Sequence, residues 1–184
     1  MGEIMNIWFI SDTHQLHEEL VAPENIDMVV FSGDGGNSKE VYLNELEVSD
    51  FLDWFDLLPI KHKVCVFGNH DTSVDKGKWT NTKLRVDFPN INFLFDETIT
   101  IEGIKIFGSP YTPSFGHGWA FNCSRNSIAK HWNRIEEGTD IVITHGPAKG
   151  MLDNTRSKDS AGCSTLLNVV GKIKPKVTVC GHIH

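Results

Sequence analysis

No stretch of the chain approaches the roughly 20 consecutive apolar residues of a membrane-spanning helix, so no membrane partner is expected. The N-terminus, Met1-Gly2-Glu3-Ile4-Met5, lacks a basic segment followed by a long apolar run, and no secretory signal is expected. Gly2 is not a convincing acyl acceptor either, because Asn6 stands where Ser or Thr is required. Cysteine is scarce: Cys65, Cys123, Cys163 and Cys180 form no C-x-x-C pair, and with no leader this points to a reducing cytoplasm. Clustered cations are missing too. With 24 acids against 17 Lys and Arg the net charge is −7, which argues against a grip on long nucleic acid. Small anionic substrates remain compatible, since metal ions supply a positive field locally. There is no internal repeat, low-complexity segment or linker, so residues 1–184 read as one domain. Nothing bears on oligomeric state.

What is present is a recurring arrangement. Lys63-Val64-Cys65-Val66-Phe67 runs into Gly68-Asn69-His70-Asp71: a buried strand, a tight turn, then an amide, an imidazole and a carboxylate. Asp12-Thr13-His14 follows Ile7-Trp8-Phe9-Ile10, and Gly33-Asp34 follows Met28-Val29-Val30-Phe31. Thr144-His145-Gly146 follows Ile141-Val142-Ile143, and Gly181-His182-Ile183-His184 follows Val177-Thr178-Val179-Cys180. One such motif is ordinary turn chemistry, but five of the nine histidines sit at these strand ends. Parallel strands bring their C-terminal ends to one edge, so the side chains should converge.

Between the strands the spacing predicts a short helix or helical turn over Gln15–Val21 and helices over Ser38–Leu58, Ser124–Glu136 and Ser164–Lys172. Residues 72–87 read as a loop with one helical turn. Thr98–Ile101 and Ile104–Phe107, flanking Glu102-Gly103, read as a hairpin. Strands alternating with helices, plus one hairpin, define a layered α/β domain.

Carboxylate, imidazole and amide oxygen are ligands for hard and borderline divalent cations. Asp12, His14, Asp34, Asn69, His145, His182 and His184 are too many for one ion but suit two that share a carboxylate. His70 is left over as a proton donor or acceptor beside them, with a ligand role as its alternative. His17 and His62 read as surface residues and His131 as a helix-face residue. His117 stays open between a loop residue and a phosphate contact. Gly108–Asn122, with four aromatics, is too long for a simple turn. In it Trp119, between Gly118 and Ala120, is placed to stack on a base, whereas Phe121 reads as packing.

Asp-x-His, Gly-Asp, Gly-Asn-His, His and Gly-His-x-His, in this order on strand ends from Asp12 to His184, resemble the calcineurin-like metallophosphoesterases. The resemblance implies an αββα four-layer sandwich with mixed sheets and a dinuclear centre of Mn, Fe, Zn or Ni. Asp12, His14 and His184 would hold one ion, Asn69, His145 and His182 the other, and Asp34 would bridge. His70 would protonate the leaving group, Asp71 would orient His70, and a metal-bridging hydroxide would attack. Gly108-Ser109-Pro110-Tyr111-Thr112-Pro113 and Trp119-Ala120-Phe121-Asn122, supported by Thr144-His145-Gly146-Pro147 and Gly162-Cys163, look like the brain metallophosphoesterase-domain proteins and their bacterial and phage relatives. That subgroup implies a phosphodiesterase acting on cyclic nucleotides; Asn69, His70, His117 and Trp119 are the candidate substrate contacts. The alternatives are a phosphomonoesterase and a silent interaction module that keeps the fold. Two departures stand out: Asn37 replaces an acid in the second motif, and relatives continue past the position of His184, so the domain is expected to be truncated there.

Overall fold

The alternation within each apolar run decides how the strands stack. In β2 (Met28–Ser32), Val29 and Phe31 pack with one apolar cluster while Met28 and Val30 pack with another, and all four are fully buried. A strand buried on both faces needs a layer on each side. The computed structural model, which describes residues 4–184, supplies them.

The first sheet has the order β1 (Ile7–Ile10), β2, β3 (His62–Val66) and β4 (Ile91–Phe93), all parallel. The second joins β5 (Glu97–Ile101) antiparallel to β6 (Ile104–Ser109), then β9 (Ile141–Thr144) and β10 (Val177–Val179) in parallel. Glu102 and Gly103 turn the hairpin with φ of 47° and 82°, the left-handed pair that a two-residue connection favours. A minor parallel pair, β7 (Thr112–Pro113) and β8 (Asn122–Cys123), organises the long aromatic loop.

Met28, Val30, Val64 and Val66 of the first sheet meet Ile101, Ile106, Ile141 and Ile143 of the second, forming the central apolar layer. On the outer face of the first sheet, Val29, Phe31 and Cys65 pack with Phe51, Leu52 and Phe55 of α1 (Val41–Leu57) and Leu84 of α3 (Asn81–Asp87). On the outer face of the second, Phe107 and Val142 pack with Trp132 of α4 (Ala129–Trp132) and with Leu166 and Val170 of α5 (Ser164–Ile173). These are the four layers of an αββα sandwich.

Several boundaries differ from the sequence reading. The short helix or helical turn expected over Gln15–Val21 is a single 3-10 turn, His17–Glu19. α1 begins at Val41 rather than Ser38, because the Glu40 side chain accepts the Leu43 N–H and caps the helix there. Residues 72–87 hold two helices, α2 (Thr72–Asp75) and α3. The helix predicted over Ser124–Glu136 shrinks to α4, since Ser124 Oγ pairs with Ser127 Oγ in a preceding turn instead of capping a long helix.

Close approach of the sheets depends on Gly108, where a Cβ would stand 2.5 Å from Leu94 Cβ and 2.7 Å from Val66 Cγ2. Gly108→Ala is therefore expected to lower stability by about 1–3 kcal/mol through overpacking, read by urea unfolding. An unchanged midpoint would show that the sheets separate freely.

Candidate metal centre

The turns that end the strands are stitched to one another before any side chain is considered. Asp12 N–H donates to the Gly33 carbonyl (2.8 Å) and His14 N–H to the Asp34 carbonyl (3.1 Å), joining the exits of β1 and β2. Gly181 N–H donates to the His145 carbonyl at 2.9 Å, joining β9 and β10. Asp12 bridges the two sheets, its carboxylate accepting the His182 N–H at 2.9 and 3.1 Å. Asp12, His14, Asp34 and His182 all have left-handed backbones, with φ of 49°, 43°, 65° and 72°. Such conformations persist where the surroundings over-determine them, commonly at functional sites. Gly33 is obligatory for approach: its φ is +106° and a Cβ would lie 2.3 Å from His145 Nδ1.

The side chains converge as the strand ends predict. Potential ligand atoms of Asp12, His14 and His184 lie within 4.8 Å of one another, as do those of Asp34, His145 and His182, and those of His14, Asp34 and His70. Asp34 and His14 are thus shared between groups. Asn69 joins through its Oδ1, 2.9 Å from His145 Nε2.

The chemistry of these donors fits a pair of divalent cations. The Ser32 carbonyl takes the His145 Nδ1–H at 2.8 Å, so Nε2 faces Asn69 Oδ1 and, at 3.2 Å, Asp34 Oδ2. A neutral imidazole would aim its lone pair at two oxygens; only a proton or a cation between them resolves that. Burial opposes charge on His145, yet Asp34 overrides it and raises the pKa to about 9. Burial likewise opposes charge on Asp34, but His145 holds its carboxyl down to about 2. His14 carries two buried ring nitrogens without a hydrogen-bond partner, an orphaned pair that a cation would satisfy. Burial lowers its pKa, and burial, aided by His145, lowers His182 to about 4, shifts that favour the neutral imidazole a cation takes.

His70 packs edge-on against His14 with ring centroids 4.6 Å apart, and its Nδ1–H donates to the Asn37 carbonyl at 3.0 Å. Its backbone is pinned by Asp34 Oδ1, which accepts the His70 N–H at 2.7 Å, and by Asn44 of α1, which donates to the His70 carbonyl. Asp71 does not orient His70 as expected. Its carboxylate accepts three backbone N–H groups, from Gly68 (2.6 Å), Gly36 (3.0 Å) and Asp34 (3.1 Å), and so clamps two turns together. Burial, with the Asp34 charge beside it, pushes Asp71 up to about 7.

The aromatic loop lies over this edge. Trp119 packs against His70 at 4.3 Å, and the half-exposed Phe115 packs against His182 at 4.8 Å. The Trp119 ring is not bare, however: Lys39 Nζ sits 3.6 Å from its centroid. His117 is exposed at the loop tip and belongs to none of the ligand groups. His17 is buried rather than at the surface, pairing with Asp50 and packing on Phe51 and Trp54; His131 lies on α4 as expected, buried and paired with Asp96 under Tyr111. Sequence reasoning missed Lys39 and Asn44, and saw Asn37 only as a replaced acid. Backbone carbonyls leave no signature, but Asn44, a polar residue between Val41 and Val48, breaks an apolar helix face and marks a buried contact.

Four layers with an imidazole–carboxylate cluster at the shared strand edge define a metallophosphoesterase-type centre. The calcineurin-like phosphoesterase family model matches residues 5–184, and the chain belongs to that family. Metallophosphoesterase domain-containing protein 1 of Homo sapiens is 34% identical over 199 residues, covering 95% of this chain and 59% of the human protein. A UPF0046 protein of Caenorhabditis elegans is 30% identical over 187 residues, covering 95% of this chain and 62% of that one. The chain thus spans about three-fifths of the length of these relatives. TT1561 of Thermus thermophilus superposes with a TM-score of 0.71 over 97% of this chain and 81% of its own, at 10% identity, a likeness of fold alone. Calcineurin-like phosphoesterases use a dinuclear divalent metal centre. Among the described residues no helix is long and apolar enough to cross a membrane.

The clamp assigned to Asp71 is testable without metal. Asp71→Ala strands three N–H groups, each buried donor costing about 1–3 kcal/mol when unmet, so metal-free protein should lose about 3 kcal/mol or more in urea unfolding. A variant as stable as the parent would return Asp71 to a role on His70.

Proposed function

We propose that the chain is a metal-dependent phosphoesterase that hydrolyses small phosphodiesters, with two divalent cations held by Asp12, His14, His184 and by Asn69, His145, His182, and Asp34 between them. The observation that carries this reading is the sharing of Asp34 and His14 between adjacent ligand groups, the arrangement two neighbouring ions require. Two such cations supply Lewis acidity and an activated water at neutral pH.

The protein's own groups supply the rest. His70 has its Nδ1 engaged by Asn37, which leaves Nε2 as the nitrogen that passes a proton to the leaving oxygen. The Asn37 carbonyl fixes the ring plane, and the transfer runs from the imidazolium, which carries a proton on both nitrogens and is left with its proton on Nδ1. Asn44 and Asp34 hold the His70 backbone, so the donor is positioned before substrate arrives. Ser32 does the same for His145. Phe115 and Trp119 offer aromatic surface beside His182 and His70 and exclude water from one side. That surface supports the narrower reading of a nucleotide diester, cyclic nucleotides included, as substrate. The four free cysteines are compatible with work in a reducing compartment such as the cytoplasm.

His70→Ala should keep its metal content while losing roughly 10²–10⁴ in turnover of an alkyl diester. The loss should shrink sharply for a nitrophenyl diester, whose leaving group needs little protonation. An equal loss on both, or loss of metal, would make His70 a ligand, the role that its place in one ligand group also permits.

A further inference from the structure

Lys39 is the cation that the catalytic reading leaves unused. It is exposed, and among the described residues it makes no ion pair. Its partner among the described residues is the face of Trp119, at 3.6 Å from the ring centroid. An exposed contact of this kind is weak and exchanges readily for an anion. The backbone around it is not loose. Glu47 Oε2 accepts the N–H groups of Asn37 (2.8 Å) and Ser38 (2.7 Å), Asn44 donates to the Ser38 carbonyl, and Glu40 caps α1. Two residues before Lys39, the Asn37 carbonyl holds His70. Trp119 closes the circuit by packing on His70 at 4.3 Å. His70, Trp119 and Lys39 therefore form a continuous wall, reactive imidazole at one end and free ammonium at the other.

We propose that Lys39 is a specificity-determining residue that binds an anionic group on the leaving portion of the phosphoester. This rests on the function proposed above, because it is His70 that identifies the wall as the side from which the leaving portion departs. The ammonium leaves Trp119 to meet the anion, and the bared indole then covers the apolar part of the same ligand. The favoured substrates are small phosphodiesters with a second negative charge, such as a nucleotide bearing a further phosphate, over those whose leaving portion is neutral. The chain's net charge of −7 makes one unpaired cation at the site's rim the more selective.

The test separates binding from turnover. The probes are methyl benzylphosphonate, in which a P–C bond replaces the leaving oxygen on the benzyl side so that the ring cannot be released, and its analogue with a carboxylate on the ring, titrated calorimetrically into metal-loaded protein. Wild type should bind the carboxylated probe about tenfold more tightly, as a charge-assisted hydrogen bond provides. Lys39→Met, which removes the charge but keeps an unbranched side chain, should abolish that preference, and Lys39→Arg should retain it. An unaltered preference in Lys39→Met, equal weakening of both probes, or no binding of either by wild type would overturn the assignment. Failure of the parent reading looks different: the preference would persist while metal-loaded wild type turned over no diester.

Discussion

Asp34 is the group on which the rest of the centre depends. It is buried at 2% exposure, and a carboxylate so placed must have every lone pair answered. Its Oδ1 accepts the His70 N–H, its Oδ2 lies 3.2 Å from His145 and 4.0 Å from His14, and its own N–H is taken by Asp71. Through these contacts it touches the exits of β1, β2, β3 and β9. The two sheets can be packed many ways by apolar burial alone, because that force is non-directional. The one register that brings Asp12, Asp34, Asn69, His145 and His182 together is set by polar contacts at the edge, from Asp12 to His182 and from Ser32 to His145.

That edge is costly in the metal-free protein. Four of its residues hold left-handed backbones, His14 has two orphaned nitrogens, and Asp34 and Asp71 repel each other. Sites of this kind trade stability for pre-organised chemistry, and the deficit is offset where cations bind. The three apolar layers beneath it supply the stability that permits such a trade.

Much of this was legible in the chain. The strand-end motifs placed the candidate ligands of each sheet at one edge because parallel strands bring their C-terminal ends together, and strands alternating with helices gave a layered α/β domain, whose four layers only the family resemblance supplied. Helix Ser124–Glu136 misled because its apolar spacing was real but its first turn was captured by Ser124 and Ser127. Asp71 misled because adjacency to His70 in sequence says nothing about which way a carboxylate turns. Here it turned toward the N–H groups of Gly36 and Gly68, donors that sequence patterns do not display. Lys39 was invisible for a related reason: its significance lies in a contact with Trp119, 80 positions further along the chain.

The central claim is that Asp34 serves two ions at once. Metal analysis by mass spectrometry, after loading with Mn or Zn and removal of excess, should approach two divalent ions per chain in the parent and fall at both sites in Asp34→Asn, because the lost charge is shared. A parent that holds no more than one ion, or an Asp34→Asn variant that loses only one of two, would contradict the account.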